Sequence, residues 1–296
     1  MYPAASVMAR FFSKSELRYL RALQSRRGWL IVGSAALNVL DFTTTPACEL
    51  DLLVQKGDKH AIVSWLKCIG YDEGPRIWPP VLPATVVAPE VGPIYELIRL
   101  ERPTATGKKQ IIHLYLSHRN PIEAVLSFNL TCTMNFLTAN DAVSLYPHST
   151  FIQREGLCIE NYRGRSTPRL LTSYLCRGWT IVHRPSFTDR TEPRSDYFSS
   201  KTWRFVGDNK CWVVPCYQGG RMEEVPIVDK QNGWQLRYRK GQSYTRLTPK
   251  VGAAIKRPPF CSVPLDITSN TSRRWYSVYV PRGQLEAVEI DFISKD

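Results

Sequence analysis

The chain has 296 residues, 43% hydrophobic and 22% charged, which is enough for one large core or two modest ones. Its formal net charge is +13, from 39 Lys and Arg against 26 Asp and Glu. Mainly disordered, collagen-like, coiled-coil and disulfide-miniprotein chains are excluded by this composition, and no apolar run approaches the ~20 residues that span a bilayer.

The N-terminal stretch to Lys14 is basic and lacks acids, and reads as a frayed arm. Ser13 and Glu16 form a capping-box pattern, and Leu17, Leu20 and Leu23 make one stripe, so a helix is predicted over Lys14–Arg26, stopped by Gly28. Trp29–Val32 reads as a buried strand that ends at Gly33-Ser34, with a helix over Ala35–Leu40. Phe42–Ala47 is a connection. Glu49–Val54 alternates acids with apolar residues and fits a strand, and a helix follows over Lys59–Ile69 to Gly70. Six prolines between residues 74 and 93 mark a long loop.

Ile94–Arg102 and Lys109–Ser117 read as a hairpin. Pro121 opens a helix through Phe128, Thr131–Thr138 reads as a strand, and Asp141–Leu145 as a short helix ended by Pro147. Ser166-Thr167-Pro168 starts a helix to Cys176, and residues 185–200 form a polar connection. Beyond it the chain is strand-like: Thr202–Val206, Cys211–Pro215, Trp234–Arg239, Ser243–Thr248, Trp275–Val280 and Leu285–Ile293.

The charge is lopsided. Residues 1–150 carry 15 Lys and Arg against 12 Asp and Glu, whereas residues 151–296 carry 24 against 14. A field of that sign concentrates polyanions such as RNA or other nucleic acid, although no RNP-type, zinc-finger or Gly-Arg motif accompanies it. Arg237-Tyr238-Arg239-Lys240 interleaves cations with aromatics, as a two-faced antiparallel strand also does. Eight scattered cysteines without a Cys-x-x-Cys read as core thiols of a reducing compartment, cytoplasmic or nuclear, with no zinc site and no membrane partner.

The chemistry-bearing segment is Gly33-Ser34 followed by Glu49-Leu50-Asp51. Side chains two apart on a strand share a face, so the Glu49 and Asp51 carboxylates converge. Two such charges call for a cation, and hard oxygen donors suit Mg²⁺ or Mn²⁺ bridged to phosphates. Gly33 lets a phosphate approach the backbone, and Ser34 offers a hydroxyl and an N–H at a helix start. Lys56, Lys59, His118 and Asp41 read as structural or solvated residues.

The segments Leu30-Ile31-Val32-Gly33-Ser34 and Glu49-Leu50-Asp51-Leu52 resemble the nucleotidyltransferase superfamily with the DNA polymerase β-like fold. The resemblance is closer to a fungal branch of nucleotidyltransferase-like proteins. There, Gly-Ser-Ala-Ala-Leu, the acid-Leu-Asp-Leu strand and a Pro-Ile-Glu…Ser-Phe…Thr-Cys…Met-Asn-Phe…Ser-Leu-Tyr-Pro stretch recur, the last carried here from Pro121 to Pro147. It covers about residues 28–151, with weaker echoes at Arg177-Gly178-Trp179 and Gly207–Pro215.

The resemblance implies an α/β (α+β) fold with a nucleotidyltransferase-like mixed sheet and flanking helices over residues 1–150, and the charge and strand pattern add a basic, β-rich extension over 151–296. It implies Mg²⁺-dependent nucleotidyl transfer from an NTP to an acceptor hydroxyl, with Glu49 and Asp51 on the metal and Gly33 and Ser34 on the phosphates. The family's third acid is expected on the strand Gln110–Leu116, where the polar members are Gln110 and His113. His113 is then the candidate proton acceptor, with Glu96 and Glu101 on the partnering strand as the alternative carboxylates. Two readings stay open: an enzyme, or a non-catalytic binding protein that engages nucleic acid or a protein through its basic half.

Overall fold

In the computed structural model, which describes residues 3–42, 49–75, 93–105, 107–159, 168–183, 185, 198–217, 220–224, 227, 231–238, 245–250, 262–266 and 275–279, the first long helix begins at the predicted cap. Helix α1 is Pro3–Met8 and α2 is Lys14–Arg27. The Glu16 N–H donates to Ser13 Oγ at 3.3 Å, and the Ser13 N–H donates to Glu16 Oε2 at 2.6 Å. Each end of the box thus satisfies an otherwise orphaned donor. Gly28 closes α2 at φ +66°, in the left-handed region, its N–H returning to the Gln24 carbonyl.

Residues 3–12 are not a frayed arm. Ala4, Met8, Phe11 and Phe12 recur at helical spacing and are buried, with Phe12 stacked on Trp65 at 5.7 Å and Tyr71 Oη donating to the Phe11 carbonyl.

Strand β1 (Leu30–Val32) turns at Gly33 directly into α3 (Gly33–Leu40), and β2 is Glu49–Gln55. Helix α4 (Lys59–Cys68) leads to β3 (Asp72–Glu73), and the hairpin is β4 (Ile94–Pro103) with β5 (Lys109–Ser117). Asn120 caps α5 (Pro121–Val125), which stops short of Phe128.

Thr131–Thr133 is a 3-10 turn, in which the Thr133 hydroxyl bonds the Leu130 carbonyl, so the strand, β6, is only Asn135–Leu137. Asp141–Leu145 is not a helix but strand β7 (Asp141–Ser144). Thr138 Oγ1 accepts from the N–H groups of Asn140 and Asp141, folding the chain into a tight turn that pairs β7 with β6.

The later elements are β8 (Glu155–Leu157), α6 (Pro168–Cys176), β9 (Thr180–Val182), β10 (Arg204–Phe205), β11 (Trp212–Pro215), β12 (Gly233–Tyr238), β13 (Thr245–Lys250), β14 (Ser262–Asp266) and β15 (Trp275–Tyr279). The predicted connection at 43–47, most of the proline-rich loop, the Ser166-Thr167 helix start, most of 185–200, Arg239-Lys240 and the strand Leu285–Ile293 lie outside the described residues.

The result is mixed α/β. Eight strands form one sheet in the order β11-β7-β6-β1-β2-β5-β4-β3, antiparallel at every step but β2–β5, which is parallel. One face carries Ile31, Leu50, Leu52, Val54, Ile112, Leu114 and Leu116 and is buried with residues of α1 to α4. On the other face Leu30, Leu53, Tyr115, Phe136 and Val143 pack with α5 and with Phe198, Val206 and Trp234. Strand β11 is the sheet's outer strand beside β7, and Trp234 Nε1 donates to Tyr146 Oη at 2.7 Å, so residues after 151 build on the first sheet. Among the described residues no helix is long and apolar enough to cross a membrane.

Candidate functional site

Alternation along β2 sends Glu49, Asp51 and Leu53 to the second face of the sheet. Register then aligns one row across four strands: Val32 opposite Asp51, Asp51 opposite His113, His113 opposite Arg99. Leu53 and Tyr115, one pair further along β2 and β5, lie under the apolar cover. At the Glu49 and Asp51 end that cover thins, leaving the side chains of Glu49, Asp51 and His113 49%, 17% and 12% exposed.

His113 Nδ1 stands 3.3 Å from Asp51 Oδ1 and 3.7 Å from Glu49 Oε2, so one imidazole edge serves both carboxylates. Gly33 lies against the other side of Asp51. Its φ is +69°, and a Cβ there would sit 2.1 Å from Asp51 Oδ2. Both the backbone conformation and the close approach therefore require glycine. Ser34 follows in the first turn of α3, a helix whose start has no side-chain cap, so its partial positive end is turned toward an acidic neighbour. Gly33, Ser34, Glu49, Asp51 and His113 are thus brought together.

The other candidates are not. Glu96 pairs in register with Leu116 on the opposite face and is held by Lys59 Nζ at 2.7 Å. Glu101 shares the face of Asp51 but lies two strands away, about 10 Å. Lys109 at 2.6 Å and Arg99 at 2.7 Å neutralise it, and the hydrogen bond from Lys109, with the Arg99 charge, keeps its carboxyl below the usual range. Gln110 points to the opposite face, where it accepts from Arg102 Nε. Neither acid joins the Glu49–Asp51 pair. Lys56 lies over the Tyr95 ring, whose edge also meets His118, and Asp41 is tied to Arg154 at 2.8 Å.

Sequence reasoning missed two parts of the site. Tyr115, two residues beyond His113 on the same face, buries its hydroxyl beside the Asp51 carboxylate. Burial, reinforced by the Asp51 and Glu49 charges, holds its phenol well above the ordinary range. Its spacing from His113 was the available signal. The second part is the wall formed by α6 and Trp179, where Tyr174 and Trp179 pack on Leu37 of α3 and Arg177 Nη2 donates to Asn38 Oδ1 at 3.4 Å. No local pattern announces that contact across 139 residues.

Among the described residues no three His, Cys, Asp or Glu side chains form a cluster able by itself to hold a metal ion. A cation that keeps waters and draws oxygens from a phosphate asks less of the protein, commonly one or two carboxylates. The convergent Glu49 and Asp51 and the glycine cradle fit that kind of ion. No known protein family, no curated protein and no solved structure matches the chain.

Proposed function

We propose that this chain is a nucleotidyltransferase-like protein that binds an NTP with Mg²⁺ or Mn²⁺ and transfers the nucleotidyl group to an acceptor hydroxyl. The observation that carries the reading is the contact of the Asp51 carboxylate with the Gly33 turn. It sets an acid beside a helix start that has no side-chain cap, the two surfaces that a metal-bound polyphosphate needs. Glu49 and Asp51 would hold the metal, which when bound neutralises phosphate charge. Gly33 and Ser34 would hold the phosphates.

In the transfer, the acceptor oxygen forms a bond to the α-phosphorus, the bond from that phosphorus to the bridging oxygen breaks, and pyrophosphate leaves with that electron pair. His113 takes the acceptor's proton: in the tautomer that donates Nδ1–H to Asp51, Nε2 carries the free lone pair.

The second reading, binding without turnover, is favoured by one observation: an imidazole, not a carboxylate, stands opposite Asp51. In that case the basic half engages nucleic acid or a protein partner. Pyrophosphate release from each of the four NTPs, with Mg²⁺ and with Mn²⁺, separates the two. Release that disappears in Asp51→Ala and falls in His113→Ala supports transfer. Silence with every NTP, together with metal-dependent NTP binding and salt-sensitive RNA binding, supports the second reading. If the protein binds no NTP with either metal, the nucleotide site is wrong.

A further inference from the structure

Among the described residues two buried or half-buried arginines, Arg21 and Arg177, have no carboxylate partner, and Arg21 is engaged by the Ala139 carbonyl at 2.8 Å and the Tyr217 ring at 4.3 Å. Arg27, Arg99, Arg154 and Arg204 each hold a carboxylate, at 3.2, 2.7, 2.8 and 2.6 Å. Among the described residues Arg177 pairs with none. Its guanidinium lies over Trp179 at 5.5 Å and Tyr174 at 5.8 Å, and one of its N–H groups donates to Asn38. The indole is itself fixed, Nε1 donating to the Thr150 carbonyl at 2.9 Å, and it carries the neutralised Arg154 at 4.7 Å as well. Aromatic faces thus orient the Arg177 fork without cancelling its charge.

Its place in the fold matters more. Asn38 follows Ser34 by four residues, one turn or about 6 Å along α3, so the two share a face of that helix. Burial chiefly holds the Tyr174 phenol above its ordinary range, and the Asp51 carboxylate is close enough to add to the effect. The wall that carries Arg177 therefore meets α3 at Leu37 and Asn38, one turn beyond Ser34.

We propose that Arg177 is a phosphate-binding residue of the site, its guanidinium reaching the distal phosphates of an NTP whose polyphosphate lies at the start of α3. This rests on the nucleotide reading above and adds a specificity to it: the site prefers triphosphates to monophosphates because Arg177 meets only the longer chain. A planar fork with unused donors matches two phosphate oxygens at once.

The test compares binding of ATP, GTP, CTP and UTP, and of their monophosphates, to the whole chain with Mg²⁺. Arg177→Gln keeps bulk over the rings and removes charge; Arg177→Lys keeps charge and loses the fork. The wild type should prefer triphosphate. Arg177→Gln should lose about tenfold or more in NTP affinity with monophosphate affinity unchanged, and Arg177→Lys should recover part of the loss. Melting curves of both variants show whether they fold, and Arg177→Lys serves as the test if Arg177→Gln does not. A triphosphate preference that survives in a folded variant overturns the role of Arg177 while the nucleotide site stands. A wild type that binds no NTP overturns both.

Discussion

Gly33 and Gly28 have nearly the same backbone conformation, φ +69° and +66°, yet their surroundings differ. Gly28 ends a helix, where alanine loses about 1 kcal/mol for the left-handed geometry. Gly33 bears the same cost, and in addition an alanine Cβ would overlap Asp51 Oδ2 at 2.1 Å. Gly28→Ala should lower the melting temperature and leave nucleotide binding intact. Gly33→Ala should lower it further and abolish metal-dependent nucleotide binding, because the carboxylate must swing away. Melting curves with and without Mg²⁺-NTP measure both. Equal effects of the two variants would remove Asp51 from the turn.

Elements are tied to one another by buried polar groups. Asp58, between β2 and α4, accepts from Trp29 Nε1 at 2.8 Å and pairs with Arg27 at 3.2 Å, both partners lying around the end of α2 and the start of β1. Removing one partner breaks a buried ion pair, so Asp58→Ala should cost about 3–5 kcal/mol in denaturant unfolding. Arg204 makes the corresponding tie in the later part, bonding Asp208 through two nitrogens and the Leu145 carbonyl. Burial pushes the Asp208 carboxyl up, but the Arg204 hydrogen bond and charge outweigh it, and the group ends below its ordinary range. A depressed carboxyl contributes stability that is whole above the unfolded value, near 3.9, and is lost as pH falls through the folded value. Asp208→Asn should therefore flatten the acid limb of the stability–pH curve below about pH 4, read from denaturant midpoints. An unchanged limb would show that the pair does not shift the titration.

At the scale of the molecule, the later strands complete the first sheet. Trp234 is fully buried, donates to Tyr146 Oη, and packs with Phe136, Val143 and Leu145. Trp234→Ala should cost about 3–5 kcal/mol, and the loss should be seen in the unfolding of the whole sheet, not of the later strands alone. A single transition shifted in midpoint, by both circular dichroism and Tyr fluorescence, is expected. Two separated transitions, with only the second moved, would show that the later strands unfold as a unit of their own.

The amino-acid order alone determined the elements whose signals are local. The Ser13–Glu16 box and Gly28 bound α2, the alternation of Glu49–Val54 made β2, and Gly33-Ser34 marked the passage from strand to helix. These follow from caps, backbone freedom and a two-residue period, none of which needs a distant partner. Where the deciding partner is distant, only the tertiary structure decided. The run Asp141–Ser144 is too short to show a period and became a strand because β6 and β11 flank it. The apolar spacing of residues 4 to 12 acquired meaning only with Trp65 and Tyr71 to pack against. His113 is an ordinary strand histidine until parallel pairing sets it opposite Asp51, 62 residues away, and Arg177 is one arginine among many until its guanidinium meets Asn38 of α3. Convergence of side chains is a property of register and packing, and both are settled by the burial of apolar faces across the whole sheet, not by any one segment.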